Sequence, residues 1–184
     1  MSDKTTILID GENLLVRYEA MIANGATPKS DTIHKPGVFV WTHEITKMFL
    51  YDLIRVSLYT TFVGDERAIL DINNEIASLQ YKFTTPSGVR GSGSVNPHVY
   101  KKERKSVKTK SVDINISIDA LRHVYNRDVD KVFIISGDGD YIPLIQEIMR
   151  QGISVSIGAL SDGCHPALEH IPDDFYNLDE IFFE

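Results

Sequence analysis

Cysteine is nearly absent. Cys164 stands alone in 184 residues, so no internal disulfide can form, and a reducing compartment is expected. Long apolar runs are missing too: nothing approaches the roughly 20 residues a membrane-spanning helix needs. The opening MSDKTTILID lacks the basic region and apolar core of a secretory leader. A cytoplasmic location away from membranes is therefore the expectation. The six histidines are scattered, and Cys164-His165 are adjacent rather than spaced as zinc ligands. No G-x-x-x-x-G-K-[ST] loop is present, which excludes a P-loop nucleotide hydrolase. The glycines at 88, 91 and 93 do not join a strand to a helix, so there is no dinucleotide fingerprint. A G-x-S-x-G nucleophile elbow is also lacking.

What is there reads as one globular domain of alternating strand and helix: the chain is 42% hydrophobic and 24% charged. Thr5 to Ile9 is a β-rich apolar run ending at Asp10. A helix is expected from Asn13, with Leu14, Leu15, Tyr18, Met21 and Ile22 at helical spacing. Ala26 to Gly37, broken by Pro28 and Pro36, reads as a loop. The spacing of Phe39, Trp41, Ile45, Met48 and Phe49 predicts a helix over Val38 to Tyr51. Arg55 to Val63 alternates as a strand, Asp65 to Leu79 has one apolar helical face, and Gln80 to Thr84 suits a short strand. Pro86 to Val99 is rich in glycine and serine and is expected to be mobile and unable to pack a core. Ser111 to Asn126 and Tyr141 to Gln151 read as helices, Val132 to Ser136 and Ser154 to Ile157 as strands. Strands separated by helices predict a mainly parallel sheet covered on both faces. Ligands of such sheets bind beyond the strand carboxyl ends.

Charge is unevenly spread. Thr84 to Lys110 holds seven basic residues against one acid, a local +6 in a chain of net charge −7, which leaves −13 elsewhere. The segment has two readings. One is an RNA clamp in which Lys101, Lys102, Arg104, Lys105, Lys108 and Lys110 meet phosphates while His98 or Tyr100 stacks on a base. The other is a solvated, flexible loop.

Acids gather at the strand ends. Asp10 follows the first strand in ILIDGENLL, and SGDGD sets Asp138 and Asp140 directly after Val132 to Ile135. Asp113 falls in the first turn of its helix, where the helix dipole favours anions. Two carboxylates about 4 Å apart repel by roughly 4 kcal/mol at an effective dielectric near 20. A cation, a shared proton or solvation must relieve that. Hard divalent cations take such oxygen ligands. Each aspartate taken singly has a structural alternative, since residues in these places often cap the next helix.

Three motifs in order carry a resemblance: D-G-x-N (Asp10, Gly11, Asn13), K-x-V-D-x-x-I-x-x-D (Lys110, Val112, Asp113, Ile116, Asp119) and S-G-D-x-D-Y-x-P-L (Ser136 to Leu144). With R-x-G-x-x-V after them (Arg150 to Val155), they resemble the LabA-like NYN domains of the PIN-like nuclease superfamily. The resemblance implies a three-layer α/β/α Rossmann-like fold and a metal-dependent ribonuclease centre. The implied ligands of Mg²⁺ or Mn²⁺ are Asp10, Asp113, Asp138 and Asp140. Asn13 would orient a ligand or phosphate, and Ser136 would support the site. Asp119 lies about 240° round its helix from Asp113 and roughly 9 Å further along, which makes it a supporting or structural residue. The loop from Ala26 to Gly37 and the basic segment are long for a compact member.

The function expected is hydrolysis of RNA phosphodiester bonds to 5′-phosphate and 3′-hydroxyl ends. The rivals are a catalytically silent RNA-binding or scaffold module and a structure-specific DNA nuclease. The oligomeric state is left open between monomer and homo-oligomer.

Overall fold

The apolar run at the start becomes β1 (Lys4–Asp10), buried from Thr5 onward. Its last residue caps the helix that follows, α1 (Gly11–Ala23). The structure, a computed structural model, describes residues 3–48, 50–103 and 110–184. An antiparallel ribbon, β2 (Ile33–Lys35) and β3 (Phe39–Trp41), separates α1 from β4 (Asp52–Phe62). Then come α2 (Glu66–Ser78), the hairpin β5 (Gln80–Thr84) and β6 (Arg90–Ser94), and β7 (Asn96–Lys101). The second half runs α3 (Ser111–Asn126), β8 (Lys131–Ile135), a 3₁₀ turn Gly139–Tyr141, α4 (Ile142–Arg150) and β9 (Ser154–Ala159). It closes with β10 (Asp174–Asn177) and α5 (Asp179–Phe182).

Six strands form the central sheet in the order β10-β9-β8-β1-β4-β7, and every neighbouring pair is parallel. Alternation along β1 sends Ile7 and Ile9 to one face and Leu8 to the other, so two cores form. The first packs α1, α2 and the β3 residues on the sheet; the second packs α3 and α4. This is the α/β, three-layer arrangement with a parallel central sheet that the sequence predicts. The strand order reverses between β1 and β8, and the ligand crevice of such a sheet lies above that point. Among the described residues, no helix is long and apolar enough to cross a membrane.

Three segments depart from the sequence reading. The helix expected over Val38 to Tyr51 is instead β3 followed by a 3₁₀ turn, His43–Thr46. Phe39, Val40 and Trp41 are all buried, so these β-favouring side chains are enclosed all round rather than on one helical face. Phe49, counted in that helix, lies outside the described residues. The Ala26 to Gly37 loop contains β2. Finally, the glycine-rich stretch from Pro86 is not a structureless loop: it supplies β6 and the edge strand β7 of the main sheet.

The glycines of β6 are what admit the hairpin. Gly91 pairs with Phe83 and Gly93 with Tyr81, and each aromatic ring lies over the glycine opposite. A Cβ on Gly93 would stand 2.5 Å from the Tyr81 hydroxyl oxygen. Gly93→Val is therefore expected to lower stability by about 1–3 kcal/mol, the scale of an overpacked site. Urea unfolding would show it as a lower midpoint at unchanged slope; an unchanged midpoint would show that the rings move aside freely.

Candidate active site

The parallel register brings the acids to the switch point. Ile9 of β1 pairs with Ile135 of β8, so Asp10 and Ser136 leave the sheet side by side. Asp10 is 3% exposed and fully engaged. Its Oδ1 accepts the Asn13 backbone N–H at 3.0 Å, and its Oδ2 accepts the Ser136 hydroxyl at 3.1 Å and the Tyr141 hydroxyl at 3.2 Å. The Tyr141 hydroxyl also lies 3.3 Å from Asp113 Oδ1. One phenol thus spans carboxylates from β1 and α3. Burial first, and the Asp113 charge after it, push the Asp10 carboxyl up to about 7. The Tyr141 hydroxyl is held protonated by burial and then by both carboxylates.

The SGDGD turn is tied to the same group. The Gly137 N–H donates to Asn13 Oδ1 at 2.9 Å, and the Asp138 N–H to Ser136 Oγ at 3.2 Å. Asp138 Oδ1 accepts the Asp140 N–H at 2.9 Å and caps the 3₁₀ turn. Asp138 is half-buried and Asp140 exposed. Capping and solvation therefore ease the repulsion read in SGDGD, while the buried carboxylate close to another acid is Asp10. The cap itself belongs to Asp138, not to Asp140.

Asp10 and Asp113 are bridged by one side chain, and Asp138 is joined to Asp10 through Ser136. Asp140 extends this line to the surface. These four acids do not close into a tight cage. Among the described residues, the one triple of metal-ligating side chains whose ligand atoms all lie within 4.8 Å is Asp31, His43 and Glu44. There Glu44 Oε1 already holds His43 at 2.9 Å and Lys47 at 2.7 Å. An ammonium on that oxygen competes with any cation, so the triple is a surface ion-pair group. An all-oxygen donor set of this kind suits a hard divalent cation that keeps several waters and needs only one or two direct carboxylates. The donors fit as well: every partner of Asp10 is a neutral N–H or O–H, and no basic side chain pairs with it among the described residues.

The described part of the basic segment is spread over two strands. Arg90 sits on the β5–β6 hairpin, whereas Lys101 ends β7 at the carboxyl edge. Lys102 is 14% exposed and donates to Glu12 Oε1 at 3.1 Å, an oxygen that the Thr61 hydroxyl also engages. Its charge is already matched. Lys101 and Lys110 are exposed; Arg104, Lys105 and Lys108 lie outside the described residues. Asp119 stands apart from the acids, accepting the Tyr59 hydroxyl at 2.8 Å and Arg122 at 2.6 Å. The residue that the sequence reading quoted but gave no role is Tyr141. Its signal was a tyrosine beside two acids in a short turn, yet only the fold shows which carboxylates it reaches.

The NYN domain description matches residues 4–179. The chain belongs to the NYN domain family. NYN domains fall in the PIN-like superfamily and are nuclease-type domains, commonly supplied with divalent metals. A crystal structure of a protein of unknown function from Vibrio parahaemolyticus has the same fold. Its TM-score is 0.63 at 19% identity, over 100% of this NYN chain and 97% of the other. An uncharacterized protein of Methanocaldococcus jannaschii is 28% identical over 71 residues, which is 39% of this chain and 30% of that relative's length.

Proposed function

We propose that this NYN domain is a ribonuclease that hydrolyses phosphodiester bonds with Mg²⁺ or Mn²⁺ held by Asp10, Asp113, Asp138 and Asp140. The observation carrying the proposal is the buried Asp10 carboxylate at the switch point, joined to Asp113 through one hydroxyl and, among the described residues, surrounded by neutral donors. A buried carboxylate near a like charge is costly unless a cation or a proton compensates it. The cation would supply water activation and charge stabilisation at the departing oxygen. The chain's own residues supply the order. Ser136 and the Asn13 N–H orient Asp10, the Asn13 side chain pins the SGDGD turn to α1, and Tyr141 sets the spacing of Asp10 and Asp113. Within the basic segment, Lys101 and Lys110 are the described lysines exposed to meet phosphates, since Lys102 is matched by Glu12.

Labelled RNA and DNA incubated with Mg²⁺, Mn²⁺ or a chelator test the proposal. RNA cleavage is expected only with metal. Asp138→Asn should lose it while melting near the wild-type temperature, because an asparagine oxygen still accepts the Asp140 N–H. Cleavage in chelator, or wild-type rates from Asp138→Asn, would remove the metal reading. Cleavage of DNA alone would move the substrate.

A further inference from the structure

A polar cleft of about 260 Å³ lies between α3 and the β4–β7 half of the sheet. It contains a prebuilt aromatic stack. Tyr59 is 1% exposed, and the His98 imidazole lies almost parallel to its ring, centroids 4.2 Å apart at 11°. Both rings are locked in place. The Tyr59 hydroxyl donates to Asp119 at 2.8 Å, and the Asn96 amide donates to His98 Nε2 at 2.9 Å. Burial also disfavours protonation of the imidazole. A flat, uncharged ring that has already lost its rotamer freedom offers a stacking surface at little entropic cost.

Asp119 is matched by Arg122 at 2.6 Å, and Asp128 Oδ1 lies at hydrogen-bond distance, 2.8 Å, from His123 Nδ1. The Arg55 guanidinium also lines the cleft, and among the described residues it has no hydrogen bond or ion pair. Position links the stack to the acids. Asp10 pairs with Tyr59 across β1 and β4, and Tyr59 pairs with His98 across β4 and β7. The three form one row across the sheet, which puts the His98 backbone two strand spacings, roughly 10 Å, from that of Asp10.

We infer that this cleft binds one unpaired nucleotide, its base stacked on His98 and its phosphate met by Arg55. The inference deepens the nuclease reading and rests on it for one point, that the nucleotide held here neighbours the bond to be cut. An unpaired base with its phosphate has two sources, a single-stranded nucleic acid or a free mononucleotide.

The test is binding in chelator, so that nothing is cut. Fluorescence anisotropy would follow labelled eight-nucleotide RNA, an abasic strand of equal length and a blunt duplex, with unlabelled mononucleotides as competitors. The base-containing strand is expected to bind at least about tenfold more tightly than the abasic one, the scale of one base–aromatic stack. His98→Ala should erase that difference, and His98→Phe, which keeps a ring, should restore most of it. Arg55→Gln should weaken the strand severalfold and flatten the salt dependence. Displacement by mononucleotides at comparable concentration identifies a free-nucleotide pocket; displacement by strands alone identifies a substrate subsite. Equal binding of abasic and normal strands, or a His98→Phe variant as weak as His98→Ala, overturns the inference. Loss of base-dependent binding in the variants, with no metal-dependent cleavage by the wild type, would keep the cleft and discard the nuclease reading. Metal-dependent cleavage with base-independent binding would do the reverse.

Discussion

Asp10→Asn is expected to abolish hydrolysis and, in metal-free buffer at pH 8, to raise the melting temperature. The activity loss should be on the order of a thousandfold, the scale of removing a transition-state stabiliser from an enclosed site. The stability gain follows from proton linkage. The carboxyl titrates near 4 in the unfolded chain and at about 7 in the fold, raised first by burial and then by Asp113. The folded state therefore holds the proton more tightly. Stability from this group is complete below about pH 4 and is lost as pH rises through about 7, with a total of the order of 4 kcal/mol. Asparagine carries no charge at either pH. Its oxygen can accept the Asn13 N–H, and the Ser136 and Tyr141 hydroxyls can turn to accept from its amide. Thermal melts at pH 5 and pH 8 check this: the variant should gain on the wild type at pH 8, and the gap should close at pH 5. Mg²⁺ should stabilise the wild type and not the variant. Parallel melting curves at both pH values would mean that Asp10 stays ionised at no cost.

Tyr141→Phe is the second large effect. The ring packs in the α3–α4 core, and phenylalanine keeps that packing, so the fold should survive. What disappears is a hydroxyl that touches both Asp10 and Asp113. Partners that orient metal-binding side chains typically matter by 10–100-fold in affinity or activity. Mn²⁺ titration followed by electron paramagnetic resonance should show weaker binding of that size, alongside a melting temperature within a few degrees of wild type. Undiminished Mn²⁺ affinity would reduce Tyr141 to a packing residue.

Much of this protein is written locally. The β-rich runs ending at Asp10 and at Ser136, the amphipathic spacing of Ser111 to Asn126, and the acids just past each strand depend on near-neighbour chemistry and periodicity. A linear reading recovers them because a strand with both faces covered must be apolar and must end where polar groups reach solvent. Other features depend on partners far away in the chain. RGSGS forms a strand because Tyr81 and Phe83 cover its glycines, and FVW forms one because a short ribbon and the first core enclose it. Lys102 cannot be told from its basic neighbours until Glu12, ninety residues earlier, neutralises it. The same holds at the centre. Residue types named Asp10, Asp113 and Asp138, but the register of β1 against β8 set Asp10 beside Ser136 and the turn that carries Tyr141. The registers of β1 against β4 and of β4 against β7 set Tyr59 and His98 in its row, because pairing across a sheet is a long-range choice that no single segment contains.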